Sequence, residues 1–248
     1  MLLQTHFEKG GNWLFRWRSY LPLFVLGLFL LAMRGYTRPG GNESLETLWE
    51  GVCLFTGLFG LGIRIYTIGY TPKNTSGRNT KKQVADTLNT KGAYSVVRNP
   101  LYLGNFFMGL GVSLFAFFWW LALIYVLVFW LYYERIIFAE ESFLTEKFGQ
   151  EYVHWANKTP VIIPNLRLYQ KADLPFSIRN VLRREYNGFF ALIVCLFALE
   201  LIGDMFLAKT AWISIDPEWM ILVGIGCLLW CILRFLKKHT RILNVEGR

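Results

Sequence analysis

Apolar residues in this chain come in blocks, separated by short polar or basic stretches. Six blocks stand out, at about residues 19–33, 48–69, 101–118, 119–138, 188–207 and 219–236. Each is near the roughly 20 residues that span a bilayer as a helix. The pattern therefore predicts an all-α, polytopic integral-membrane bundle of about six transmembrane segments. The first block begins too far along the chain, and lacks the small-residue cleavage site, expected of a signal peptide.

The polar intervals set the boundaries. Pro39-Gly40-Gly41 is a strong turn signal after the first block. Ser44, Glu46 and Thr47 read as the start of the next helix, in which Gly57, Gly60 and Gly62 permit close helix packing. Residues 70–91 are the most hydrophilic internal stretch and suit either a linker or a lid over a site. The third and fourth blocks meet at Phe117-Phe118-Trp119-Trp120 with no Gly or Pro between them. This predicts a tight helical hairpin over 101–138, turning at the outer interface where Trp is favoured. Residues 139–165 are polar, with an acidic start. Residues 175–187, with Arg179, Arg183 and Arg184, suggest an amphipathic helix lying on the inner leaflet. The chain divides into an N-terminal segment and outer loop (1–49), a membrane core (50–165), and the amphipathic stretch with two last segments (166–248).

Charge sharpens the topology. Charged residues make up 17% of the chain, against about 25% in soluble domains. With the N-terminus in the cytoplasm, 23 of the 26 Lys and Arg fall on the cytoplasmic side; the others are Arg34, Arg38 and Lys209. The positive-inside rule then selects N-in, C-in. The net charge of +9 reflects that orientation and attraction to anionic headgroups, and no nucleic-acid partner is expected. Cys53, Cys195, Cys227 and Cys231 sit in apolar stretches and read as buried small hydrophobes. His6, His154 and His239 are far apart, so no metal site is expected. Glu200 and Asp204 are expected to be solvated near the outer end of their segment, and Arg64 either snorkels or reaches a site.

Polar residues at the inner boundary gather in two places. Residues 92–105 precede and open the third block. Asn99 suits a helix cap and Pro100 the first turn, but Arg98, Tyr102 and Asn105 need another reason. Tyr102 and Asn105 share a helix face inside an apolar segment, where a polar side chain needs a partner. A helix start also attracts anions. The second place is Tyr133-Glu134-Arg135, then Glu140-Glu141. Glu134 and Glu141 share one face and Glu140 points elsewhere. A hairpin brings the two places together, with an anion-binding helix start beside carboxylates. That combination suits a zwitterionic, amino-acid-bearing cofactor at the cytosolic face.

The string Gly92…Tyr94…Arg98-Asn99-Pro100-Leu101-Tyr102-Leu103-Gly104, followed by Glu140-Glu141, Phe148-Gly149-Gln150-Glu151-Tyr152 and a late Pro164, resembles the isoprenylcysteine carboxyl methyltransferase and phospholipid methyltransferase family. The resemblance covers about residues 50–165. It implies methyl transfer from S-adenosyl-L-methionine bound at the cytosolic face, with a membrane lipid or lipidated substrate as acceptor. By matching positions, Tyr94, Arg98, Asn99, Pro100, Tyr102, Leu103, Gly104, Glu140 and Glu141 would surround the cofactor, and Arg98, Asn99 and Glu141 would carry the chemistry. Asn99 stands where the family usually has His. Asn cannot titrate near neutral pH, which favours an acceptor that is already a nucleophile: a carboxylate or lipid phosphate oxygen.

Two alternatives remain open. One is N-methylation of a phospholipid amine. The other is an NADPH-dependent membrane reductase of the sterol reductase type, which has a similar stretch. The glutamate pair disfavours the reductase, because a phosphorylated dinucleotide attracts cations. A transporter is disfavoured because the polar residues cluster at the inner face instead of the midplane. A bacterial inner membrane and the endoplasmic reticulum fit equally well.

Overall fold

The computed structural model describes residues 3–18, 27–29, 31–73, 75, 83–207 and 216–248. The regular secondary structure of the described residues is helical, with no strand. The longer elements are α1 (Leu3–Trp17), α2 (Glu43–Tyr70), α3 (Pro100–Leu114), α4 (Trp119–Phe148), α5 (Gln150–Lys158), α6 (Ile178–Leu207) and α7 (Pro217–His239). Much of the first apolar block, residues 74 and 76–82 of the hydrophilic stretch, and Lys209 lie outside the described residues.

Four of the described helices, α2, α4, α6 and α7, are long and apolar enough to cross a membrane. Their apolar side chains are largely exposed, as at Phe55, Leu131, Ile221 and Leu228. Such a continuous apolar exterior belongs in lipid. The count differs from six for identifiable reasons. The third block is helical only from Pro100 to Leu114, 15 residues, which at 1.5 Å per residue is about 22 Å and short of a 30 Å hydrocarbon core. Residues 115–118 make the turn.

That turn is the expected hairpin. Phe117 takes φ 57°, a left-handed conformation that is costly for a bulky residue. Trp49 holds it from α2. The Trp49 indole Nε1–H donates to the Leu114 carbonyl at 2.8 Å, and its ring meets that of Phe117 edge-on at 5.1 Å.

Helix boundaries differ from the sequence pattern in three further places. The cap of α2 is Asn42, whose side chain accepts from the Ser44 amide at 2.9 Å, so the helix begins ahead of the Ser44 signal. α4 continues through the acidic residues to Phe148 and breaks at Gly149, with φ 55°. Residues 178–187 are the first turns of α6 and not a separate interfacial helix.

Small residues let α2 and α3 cross closely. A Cβ on Gly60 would lie 2.5 Å from the Gly104 carbonyl oxygen, and one on Gly111 would lie 2.5 Å from that of Cys53. Gly57 abuts Leu192 of α6, whereas Gly62 faces open space and has no packing role. The buried core beneath the hairpin joins Cys53, Phe115, Leu121, Leu192, Leu196 and Trp219. Cys53 is buried as expected, but Cys227 and Cys231 are exposed on α7.

Candidate active site

The inner ends of α3 and α4 meet, as the hairpin requires. Pro100 opens α3 at a position where its missing N–H is harmless. The Asn99 side chain does not cap the helix; its amide donates to the Val161 carbonyl at 3.1 Å. Beside it, Arg98 crosses to α4. Its Nη1 lies 2.6 Å from Glu141 Oε1, and its Nε donates to the Thr159 carbonyl at 2.8 Å. One turn into α3, the Tyr102 hydroxyl donates to Glu140 Oε1 at 2.7 Å. The two motifs that are about 40 residues apart in sequence are thus tied by two charged contacts.

The glutamates part as their spacing requires. Glu140 lines a cavity with Tyr94, Arg98, Asn99, Pro100 and Tyr102. Glu134 and Glu141 line an apolar groove on another side of α4, walled by Trp130, Ile137, Phe138 and Ile162. The Arg98–Glu141 pair stands between the two spaces. Tyr152 of α5 lies against this pair; burial pushes its hydroxyl above the ordinary range, and the neighbouring Glu141 carboxylate adds to the shift. It therefore remains a neutral donor.

Two expected residues sit elsewhere. Gly104 is packed against α2, where a Cβ would be 2.5 Å from Arg64 Cγ. Neither Gly104 nor Leu103 lines the cavity. Conversely, the sequence pattern missed Phe15 and Arg18 at the end of α1, Gln83 in the hydrophilic stretch, and Phe143 and Leu144 on α4, all of which line it. The signal for Arg18 was only a charge in a polar lead. Gln83 and its neighbours Val84 and Ala85 approach the cavity from the stretch read as linker or lid. The Gln83 amide nitrogen is shielded from solvent and has no hydrogen-bond partner among the described residues.

Polar contacts behind the cavity tie α3 to α2 and α4. Arg64 grips the Glu185 carboxylate of α6 with Nε and Nη2 at 2.7 and 2.9 Å, and its Nη1 donates to Asn105 Oδ1 at 2.6 Å. Asn105 in turn donates to the Tyr133 hydroxyl at 3.0 Å, and the Tyr133 ring lies 4.5 Å from that of Tyr102. Arg64 neither snorkels nor lines the cavity. At the opposite end, Glu200 is buried rather than solvated. It lies within hydrogen-bonding reach of Glu50, which accepts from the Trp219 indole at 2.9 Å.

Residues 51–151 match the family model described as phospholipid methyltransferase. Over this segment, about two-fifths of its length, the chain is similar to the phospholipid methyltransferase family. The matched segment contains Arg98, Tyr102, Glu140, Glu141 and the hairpin that joins them.

Similar proteins include the cobalt-zinc-cadmium resistance protein CzcN of Cupriavidus metallidurans, 32% identical over 52% of this chain and 58% of that protein. The protein-S-isoprenylcysteine O-methyltransferase of Saccharomyces cerevisiae is 32% identical over 49% of this chain and 50% of that protein. The nickel-cobalt-cadmium resistance protein NccN of Alcaligenes xylosoxydans xylosoxydans is 32% identical over 52% and 59%. The chain thus spans about half to three-fifths of the curated relatives it matches. No solved structure matches it. Among the described residues there is no group of three or more His, Cys, Asp or Glu that could hold a metal ion.

Proposed function

We propose that this chain is a membrane methyltransferase that moves a methyl group from S-adenosyl-L-methionine to an anionic, lipid-like acceptor. The observation that supports this most directly is the double tie across the hairpin. Tyr102–Glu140 and Arg98–Glu141 put a polar cavity and an apolar groove on two sides of one ion pair, inside the segment that matches the family. A polar cavity beside an apolar groove suits a water-soluble donor meeting a lipid acceptor.

The residues present fit that cofactor. Glu140 offers a carboxylate to an ammonium group, Tyr94 adds a phenol, and the shielded Gln83 amide retains an unused donor. When bound, the cofactor supplies a methyl on a sulfonium: the sulfur–carbon bond breaks as the acceptor–carbon bond forms, leaving a thioether. The chain's own residues align and desolvate. Tyr102 orients Glu140. Arg98, held between Glu141 and Thr159, stands where an acceptor's negative head would arrive from the groove. Asn99 anchors the backbone at Val161, and its amide supplies no titrating base. An oxygen anion needs none, so its attack requires only alignment and exclusion of water. The yeast relative is named as an O-methyltransferase, which supports the same acceptor class.

The catalytic core in this proposal is residues 50–165, flanked by 1–49 and 166–248. The charge distribution supports an N-in, C-in orientation with the site facing the cytoplasm, in a bacterial inner membrane or the endoplasmic reticulum. A second acceptor, a lipid amine, is favoured by one feature: Glu134 and Glu141 both line the groove, and carboxylates attract cations.

The test starts with the protein purified in detergent. S-adenosylhomocysteine at about 100 times its dissociation constant adds roughly 2.7 kcal/mol of stability, visible as a raised melting temperature. Stabilisation by reduced nicotinamide cofactor instead would replace methyl transfer with reduction. Labelled methyl is then followed into extracted lipid. Label released by mild base marks a carboxyl methyl ester; base-stable label is a methyl phosphate diester, which supports the anionic acceptor, when phosphorus analysis of the labelled lipid finds it on phosphate, and an N-methyl group when it is found on an amine.

A further inference from the structure

The cavity walls divide by charge and by origin. Glu140 and the Tyr102 hydroxyl form an acidic side. Arg98 reaches the edge but is engaged by Glu141 and the Thr159 carbonyl. The other guanidinium lining the cavity is Arg18, at the end of α1. It stands near enough to Glu140 and Tyr102 for its charge to act on both.

The sequence of α1 builds this placement. Gly11 seats the helix against α4, where a Cβ would collide with the Arg135 carbonyl oxygen and the Ala139 methyl. Phe15 and Arg18 follow four and seven residues later, on the same helix face. Phe15 is buried, and the Arg18 guanidinium lies over its ring, 4.1 Å from the centroid. Stacking of this kind holds a guanidinium in one orientation. One cavity thus presents a carboxylate and an oriented guanidinium, which is the complement of a zwitterion. A guanidinium fork meets a carboxylate with two parallel hydrogen bonds, the strongest neutral-pH contact available to it.

We propose that Arg18 binds the carboxylate of the cofactor's amino-acid group while Glu140 binds its ammonium, so that α1, outside the family-matched segment, completes the cofactor site. The proposal rests on S-adenosylmethionine being the cofactor.

Binding to the full-length protein in detergent tests it, with two probes: S-adenosylhomocysteine and 5′-methylthioadenosine, which lacks the amino-acid group. Arg18→Gln is expected to weaken S-adenosylhomocysteine by about tenfold or more, the usual scale for a lost charge-assisted contact, and to leave 5′-methylthioadenosine unchanged. Arg18→Lys keeps the charge without the fork and is expected to lose less, on the same probe only. Arg16→Gln, an exposed neighbour on α1, should bind both probes as the parent does. Unchanged S-adenosylhomocysteine binding in Arg18→Gln and Arg18→Lys would overturn the role of Arg18 alone, as would an equal loss of both probes. If the parent protein binds neither probe, the cofactor assignment itself fails, and this proposal with it.

Discussion

At the level of single residues, the site depends on hydrogen bonds that join one helix start to one helix end. The Tyr102 hydroxyl does two things at once: it satisfies itself at a depth where it would otherwise be costly, and it fixes the Glu140 carboxylate toward the cavity. Tyr102→Phe removes the donor without changing the ring. Its expected cost is about 1.5–3 kcal/mol, or roughly tenfold to a hundredfold in kcat/KM, with the melting temperature little changed. Steady-state kinetics on a labelled methyl donor check this. Glu140→Gln is expected to raise the KM for the donor more than it lowers kcat, because the role proposed for it is ground-state binding of a cation. Equal kcat/KM in both variants and the parent would remove these residues from the site.

At the level of elements, close approach and one buried ion pair hold α3 where its first turn can serve the cavity. Gly60 and Gly104 let the α2 and α3 backbones touch, while Gly62 on the same helix meets nothing. Gly60→Ala is therefore expected to destabilise by about 1–3 kcal/mol, whereas Gly62→Ala stays within about 0.5 kcal/mol of the parent. Thermal unfolding in one detergent compares the two. The Arg64–Glu185 pair ties α2 to α6, and Glu185 is only 3% exposed on its side chain. Arg64→Ala leaves that carboxylate without its cation and is expected to cost about 3–5 kcal/mol. Replacing both members with apolar residues of similar size should recover much of the loss. A double variant no more stable than the single one would mean that the pair's geometry, and not its charge, secures α3.

At the level of the whole molecule, an apolar exterior points to a membrane protein, and the proposed N-in, C-in orientation gathers most of its cations on one side. The proposed orientation puts Asn42 outside and Lys238 inside. With a membrane-impermeant thiol reagent on intact cells, Asn42→Cys is expected to label and Lys238→Cys to label only after permeabilisation. The reverse pattern would place the cavity on the outer face and would end the proposal of a cytosolic donor. At the far end of the bundle, Glu50, Glu200 and Trp219 knit α2, α6 and α7 together, so the helices outside the family-matched segment are integral to the fold.

The blocks of apolar residues determined by themselves that the chain is helical and embedded in a membrane, because length and apolarity are local properties that a bilayer reads directly. Helical spacing also separated Glu140 from Glu141 and aligned Tyr102 with Asn105, since a 3.6-residue repeat fixes which side chains share a face. The motif order around Arg98, Tyr102 and the glutamate pair was legible for the same reason: a hairpin must bring its ends together. Partner choice across helices was not legible. Nothing local tells Arg64 to take Glu185, 121 residues away, or Gly104 to face α2 instead of the cavity. Nor does a polar lead announce that Arg18 will reach the cavity. Those contacts exist only once the helices cross, because crossing geometry is set by which small residues let two backbones approach, and that is a property of pairs of surfaces and not of any one stretch of sequence.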